Sequence, residues 1–315
     1  MKTFFILDER DVWHKAACDA AVRAGYQTKR LYSDHRYDTL RCAEDVGFIR
    51  PHADWRRLPA NRDDYARMVG AGMTVIQDAE QIRLYEDKSG QFKKWSDWMP
   101  DTWRFTDGGE AQAFVAQTYY PLVSKADVGA SSVNVRILKN KGEAAKHIAQ
   151  LFGEGILVHH GASCPQTRQK GYALLQRFIP HTTTYRVNAM GDARAIFFRY
   201  CYPNKPVAQT GNVEPAFEMT DELESLLEFS DKFFAHAKTK WCALDVLKDG
   251  NEWKLLETSL AWPWPSPGTC NSGTIFRSGG KTWIKMFEVM FDQLRCGAWS
   301  DPSLSSSSAK PLLST

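Results

Sequence analysis

The chain has 315 residues, of which 43% are apolar and 24% charged, a balance typical of a globular protein. That length exceeds one small core and accommodates two or three associated lobes. Its 40 basic and 37 acidic side chains leave a net charge of only +3, which argues against a nucleic-acid footprint and against a membrane-attracted surface.

Residues 3–7 (TFFIL) predict a buried strand, and Asp11 is placed to cap a helix. The helix would bury Val12, Ala16, Ala20 and Ala24 and stop at Gly25. Tyr26–Tyr32 returns as a strand, so a βαβ start with a parallel sheet is expected. No GxGxxG follows, so nothing points to dinucleotide binding. Val46–Ile49 and Met73–Ile76 read as further strands around a helix near 62–69, and Pro100 breaks the next helical stretch. Short strands then follow at Tyr120–Lys125, Ser132–Leu138 and Gly155–His159, with a helix over Glu143–Phe152. Ala173–Ile179, Tyr185–Met190 and Ala195–Tyr200 are three more strands. Thr220 caps a helix carrying Leu223, Leu226, Leu227, Ser230, Phe233 and Phe234 on one side. Cys242–Leu247 and Trp253–Glu257 form a hairpin through the turn Lys248–Glu252. A last helix, Lys281–Leu294, would align Ile284, Phe287, Phe291 and Leu294. The Ser-rich tail from Ser300 is expected to be disordered.

Eleven tryptophans read as filler of cores and lobe interfaces rather than as a base-stacking platform. Seven cysteines, an odd number with no CxxC pair, argue against a disulfide framework or a thiolate zinc site and for a reducing compartment. The apolar N-terminal run stops at Asp8, too short for a signal peptide, and no stretch approaches a membrane span. A cytoplasmic location follows as an expectation.

Four features carry chemistry. Asp245 lies inside the apolar run CALDVL, and Glu257 ends the neighbouring run KLLETS. Carboxylates in such runs are costly unless paired or bound to a cation, so they share a hard ion such as Mg²⁺ or else face solvent from an edge hairpin. Lys125 ends a strand shortly before Gly129-Ala130-Ser131-Ser132. Small residues let backbone N–H groups approach phosphates, with the lysine as a point charge; an ordinary turn with a surface lysine is the plainer reading. Gln176-Arg177-Phe178-Ile179 leave a strand before Pro180, where backbone groups are open to a purine edge or simply end a strand. Arg186 and Arg199 lie in apolar runs and meet either a ligand's carboxylate or phosphate or structural ion pairs.

The order of these pieces resembles the ATP-grasp superfamily, in the branch holding glutathione synthetase, D-alanine–D-alanine ligase and the ribosomal-protein glutamate ligases. The resemblance runs from about residue 75 to 268 and includes VIQDAEQIRLYEDKSGQFKKWSDWMPDTW. It implies an α/β fold with a pre-ATP-grasp domain over 1–100, a small lobe over 101–178, a large lobe over 179–299 and a tail over 300–315. It implies that Lys88 and Lys125 contact phosphate and that Gly129, Ala130, Ser131 and Ser132 cover it. Gln176, Arg177, Phe178 and Ile179 would receive adenine, and Pro100-Asp101-Thr102 would enter the small lobe. Arg186 and Arg199 would face phosphate and the reacting carboxylate, and Asp245, Glu257 and Ser259 would hold Mg²⁺ or Mn²⁺. The family usually ends its hairpin Glu-x-Asn, where this chain has Glu257-Thr258-Ser259. It commonly has Gln-Glu or Glu-Glu at the hinge, where this chain has Gln176-Arg177, and an acidic residue before the first arginine, where this chain has Thr184-Tyr185.

The implied activity is an ATP-dependent ligase joining a carboxylate to an amine or thiol through an acyl phosphate. Small-molecule carboxylates and amines, or a peptide terminus, would be its partners. A small-molecule kinase on the same fold and a catalytically silent nucleotide-binding module are the rivals. A homo-oligomer is left open. His159-His160 point to opposite faces of a strand and are not read as a metal site. The tract ETSLAWPWPSPGTC is read as a rigid loop beside the substrate pocket rather than as a polyproline docking motif.

Overall fold

The computed structural model describes residues 1–7, 14–32, 45–52, 56–129, 134–158, 167–202, 205–216, 218–260, 272–277 and 280–295. Asp11, Ala130–Ser132, His159-His160, most of the Trp/Pro tract and the tail lie outside them.

Strands β1 (Thr3–Leu7), β2 (Gln27–Leu31), β3 (Val46–Ile49) and β4 (Thr74–Val75) form a parallel sheet in the order β2-β1-β3-β4. Helix α1 (His14–Arg23) makes the first crossover and buries Ala17, Ala20 and Ala21. It stops where the sequence expects, because Gly25 adopts φ +86°. Tyr26 N–H then bonds Ala21 O and Gly25 N–H bonds Val22 O, so the last carbonyls are satisfied. Helices α2 (Leu58–Gly70), α3 (Ala79–Leu84) and α4 (Lys88–Trp95) follow. Asp78 and Asp87 cap the last two by accepting from Gln81 and Gly90 N–H at 2.8 Å each.

Four antiparallel strands build the small lobe: β5 (Thr102–Phe105), β6 (Leu122–Lys125), β7 (Val135–Leu138) and, after the two-stranded ribbon β8 (Ile156–Val158) and β9 (Thr167–Gln169), β10 (Ala173–Arg177). Helices α5 (Gly108–Gln117) and α6 (Lys141–Phe152) bury one face through Val115, Leu122, Leu138, Ile148, Leu151 and Leu175. Alternation along β6 puts Leu122 and Ser124 under the helices and Val123 and Lys125 on the open face.

The large lobe is a seven-stranded sheet of β11 (Thr183–Met190), β12 (Ala193–Tyr202), β13 (Lys205–Pro215), β14 (Trp241–Asp249), β15 (Glu252–Ser259), β16 (Ser272–Arg277) and β17 (Gly280–Lys285). One face packs Val187, Ile196, Leu244, Val246 and Leu255 on helix α7 (Asp221–Ala237) and on Trp95 of α4. Thr220 caps α7 as the sequence expects, accepting from Leu223 N–H at 3.3 Å. The other face is divided. At one end Met190, Trp241 and Ala243 share a core with the N-terminal sheet and helix α8 (Met286–Arg295), with Phe48 edge-on to Trp241 at 5.1 Å. At the other end it opens onto the small lobe.

The expected helix over 281–294 is only half right. Gly280–Lys285 pairs with Ser272–Arg277 as a strand, and α8 begins at Met286. Thr282-Trp283-Ile284 suits a strand as well as a helix, and the pairing partner decides it. Phe287 and Phe291 are buried on α8 as expected. Helix α5 and strands β5, β9, β13 and β16 were not foreseen.

His147 of α6 is buried in the small-lobe core with Nε2 2.9 Å from Ser124 Oγ. Burial, helped by the nearby Arg136 charge, pushes its imidazole down to about 4 from 6.5. The unfolded chain therefore takes up a proton first. The stability this neutral histidine contributes is complete above pH 6.5 and is lost as pH falls toward 4. Unfolding by urea should be easier at pH 4.5 than at pH 7 by roughly 2–3 kcal/mol from this group. His147→Gln should remove most of that difference, and an unchanged pH dependence in the variant would contradict the assignment.

Candidate active site

The cleft between the small-lobe sheet and the large sheet is half-open, with about 760 Å³ of space between its walls, open solvent included. Three strands of the large sheet set its floor. Arg186 on β11, Asp245 on β14 and Glu257 on β15 are successive cross-strand partners, so they lie in one row on one face. Alternation along β14 sends Cys242, Leu244 and Val246 to α7 and turns Asp245 and Leu247 to the cleft.

Glu257 reaches this face only through a bulge. Trp253 and Leu255 face α7, and strict alternation would send Glu257 the same way. The register jumps from Asp245↔Glu257 to Val246↔Leu255, which leaves Leu256 as an extra residue. That insertion turns Glu257 to the cleft and Thr258 to the buried side.

Asp245 is 4% exposed, and both of its oxygens are engaged. Arg186 Nε and Nη2 donate to them at 2.6 and 2.7 Å, and Arg199 Nη1 donates at 2.5 Å. Burial alone would raise this carboxyl, but the two guanidinium charges outweigh it and hold it well below the usual carboxylate range. Both arginines thus make the buried carboxylate pairs that their apolar surroundings demand.

Two lysines approach from other elements. Lys88, the first residue of α4, lies 3.4 Å from Glu257 Oε2 and donates to Gly129 O at 3.2 Å. Burial acts to lower its ammonium, but Glu257 and Glu86 overcome this and raise it. Lys125, at the end of β6, donates to Leu256 O at 3.3 Å. Burial pushes Lys125 down to about 8 against the pull of Glu257. Glu86 takes an unusual φ of +55° and accepts from Gly129 N–H at 2.7 Å. Ser89 N–H bonds Asp127 Oδ1 at 2.9 Å. The start of α4 is thereby stitched to the loop that leaves β6.

The far end of the cleft is the strand exit after β10. Gln176 Nε2 donates to Thr102 Oγ1 at 2.8 Å. Arg177 bridges Asp101 at 3.0 Å and Asp249 at 2.5 Å. Phe178, Ile179, His181 and Thr184 line the wall between this exit and Arg199.

Lys88, Lys125, Gly129, Gln176, Arg177, Phe178, Ile179, Arg199, Asp245 and Glu257 thus border one cleft. Arg186 lies beside it through Asp245, and Ser259 sits two residues beyond Glu257 on β15, opposite Ala243. Asp245 and Glu257 offer oxygen ligands of the kind a hard divalent cation takes, and in the structure both Asp245 oxygens accept from guanidiniums and Glu257 pairs with Lys88. Sequence reasoning missed Glu86, Gln91, His181 and Thr184. A charged residue directly before Asp87-Lys88 was the only available sign of Glu86; nothing local marked Gln91.

No protein-family model matches the sequence, and no curated protein matches it. Solved structures do. A RimK-domain ATP-grasp protein from Sphaerobacter thermophilus superposes with a TM-score of 0.57 at 16% identity, covering 92% of this chain and 98% of that one. D-cycloserine synthetase DcsG gives 0.59 at 10% identity, covering 94% and 99%. D-alanine–D-alanine ligase from Bacillus anthracis, solved with ATP, gives 0.54 at 11% identity, covering 83% and 87%. The N-terminal parallel sheet, small lobe and large sheet therefore form an ATP-grasp α/β fold. Among the described residues no helix is long and apolar enough to cross a membrane.

Gln91 fixes the acidic strand from behind. Its Oε1 accepts from Thr258 N–H at 2.9 Å, and its Nε2 donates to Thr258 O at 3.1 Å and Leu84 O at 3.0 Å. The amide acts as one rung of an added strand, one helical turn from Lys88. Gln91→Leu removes the Gln91 partner of Thr258 N–H and Thr258 O, while Leu84 O keeps Asp87 N–H at 3.2 Å, and should cost about 2–3 kcal/mol in urea unfolding. A loss of about half a kcal/mol or less would show that these bonds do not hold the strand.

Proposed function

We propose that this protein is an ATP-dependent ligase that joins a carboxylate to an amine or thiol through an acyl phosphate. The observation that carries the reading is the convergence on one cleft of Lys88, Lys125 and Arg199 around the in-register carboxylates Asp245 and Glu257. Cations outnumber carboxylates there, which suits a polyphosphate. A D-cycloserine synthetase and a D-alanine–D-alanine ligase among the superposable structures support the same reading.

ATP would enter with its base at the Gln176–Ile179 exit and its phosphates between Lys88, Lys125 and Gly129. Asp245 and Glu257, with Ser259 beyond them, would hold Mg²⁺ (or Mn²⁺), which neutralises charge on the phosphates when bound. The substrate carboxylate attacks the γ-phosphorus, the bond to the β-phosphate oxygen breaks, and ADP leaves. Arg186 and Arg199 position the transferred phosphoryl group and the attacking carboxylate. An amine or thiol then adds to the acyl carbon, and phosphate leaves with the bond pair. In the structure both arginines are held by Asp245, so a cation at Asp245 and release of the guanidiniums toward phosphate belong to the same rearrangement.

A second reading, a module that binds nucleotide without turnover, is favoured by two observations. Both Asp245 oxygens are already paired, and Ser259 stands where the fold's ligases usually carry an amide. Such a protein would bind MgATP yet release no ADP with any mixture of carboxylates, amines and peptides.

Two measurements test the reading. Lys125→Ala should weaken MgATP binding roughly tenfold to a hundredfold by calorimetry, because a charge-assisted bond to phosphate is lost; unchanged affinity removes Lys125 from the site. Glu257→Gln should stay folded yet lose roughly a hundredfold or more of ADP release. A fully active Glu257→Gln variant would sink the ligase reading.

A further inference from the structure

We infer that Asn188 is a positioning residue for Arg186: when a cation takes Asp245, the Arg186 guanidinium leaves that carboxylate and donates to Asn188 Oδ1. The inference rests on the cation reading given above and says where one of the two displaced arginines is held.

The starting point is a buried amide. Asn188 on β11 is 1% exposed, and among the described residues neither its Oδ1 nor its Nδ2 has a hydrogen-bond partner. Such a group costs stability and is rare in native folds. Strand pairing gives its neighbours. Across the strands it faces Ala243 on β14 and Ala195 on β12, whose methyl groups offer it no hydrogen bond. Along β11, Arg186 and Met190 share its face, two residues to either side. Met190 belongs to the core shared with the N-terminal sheet, and Arg186 belongs to the charged row. The amide therefore stands between an apolar core and the arginine.

Arg186 is the group that needs such an acceptor. The two Asp245 oxygens already take N–H bonds from Arg186 and Arg199, so a cation there must displace them. Arg199 lines the cleft, where the phosphate of a ligand can receive it. Arg186 is buried and reaches the cleft through Asp245. A buried guanidinium left without an acceptor is strongly destabilising. Asn188 Oδ1 supplies one at about 7 Å along the strand, against about 5 Å across the strands to Asp245. A turn of the side chain makes the exchange while the backbone ladder stays paired. A guanidinium carries five N–H donors in a planar fork, so one edge on Asn188 leaves the other to face the attacking carboxylate.

The test measures how much Mg²⁺ tightens ATP binding, by calorimetric titration of the full chain with ATP in Mg²⁺ and in EDTA. The wild type should bind ATP more tightly in Mg²⁺. Asn188→Leu has no acceptor, so this tightening should shrink by about tenfold or more, the worth of one hydrogen bond to a charged group, while affinity in EDTA stays at the wild-type value. Asn188→Asp keeps an acceptor oxygen in the same shape and should retain the tightening. In metal-free urea unfolding Asn188→Leu should be as stable as the wild type or more so, because it removes an unpaired amide. Full tightening in Asn188→Leu overturns the inference, and so does its loss in Asn188→Asp. A metal-free Asn188→Leu that unfolds more easily than the wild type also overturns it, since the amide would then have its partner before any cation arrives. Equal affinity of the wild type in Mg²⁺ and in EDTA removes the cation from Asp245, which ends this inference together with the metal reading it rests on, an outcome distinct from the others.

Discussion

Asp245 is a charge that cannot be left alone. It sits on β14, the strand next to the edge strand β15 of the large sheet, with 4% of its surface exposed, between residues that pack into two apolar cores. An unpaired carboxylate there would cost several kcal/mol. The chain meets that demand with a bidentate Arg186 from the adjacent strand β11 and with Arg199 from β12, one strand further on. Around this cluster the other charged groups take their places. Glu257 is its cross-strand neighbour, Lys88 pairs with Glu257, and Lys125 approaches the same strand one residue earlier. A network of this kind is weak evidence for stability and better evidence for function, since apolar residues would hold the sheet as well.

The cluster is held in register by its surroundings. The bulge at Leu256 turns Glu257 toward the cleft, and Gln91 binds both backbone groups of Thr258 so that the turn cannot relax. Gln91 and Lys88 lie on the same helix, which is capped by Asp87 and tied to Asp127 and Gly129. The small-lobe loop, the helix and the acidic strand are therefore joined by direct hydrogen bonds. Any ligand that draws Lys88 away from Glu257 acts on the loop and on the strand together.

The three cores divide the labour. The N-terminal sheet and the large lobe share one core through Phe48, Trp241 and Phe287. The small lobe has its own, around α5 and α6. The cleft lies where these cores do not meet, lined by the charged groups together with apolar residues such as Val123, Leu247 and Leu256.

Much of the fold was legible in the chain. The βαβ start, the stop at Gly25, the Thr220 cap and the hairpin of β14 and β15 follow from local periodicity and backbone chemistry, which act between residues a few positions apart. So do the individual candidates: a carboxylate in an apolar strand and an arginine in another each signal a buried partner. Which partner they find is a different matter. Asp245 meets Arg186 and Arg199 across 59 and 46 residues, and Gln91 meets Thr258 across 167. Those separations leave no local trace. The strand at Gly280–Lys285 was missed for the same reason, since its pairing with Ser272–Arg277 outweighed a helical period. The direction of Glu257 depended on one extra residue in a strand whose sequence reads as regular. Sequence by itself determined which residue types were available and in what order. Only the tertiary structure decided which of them share a face, because pairing and burial are settled between strands and not along them.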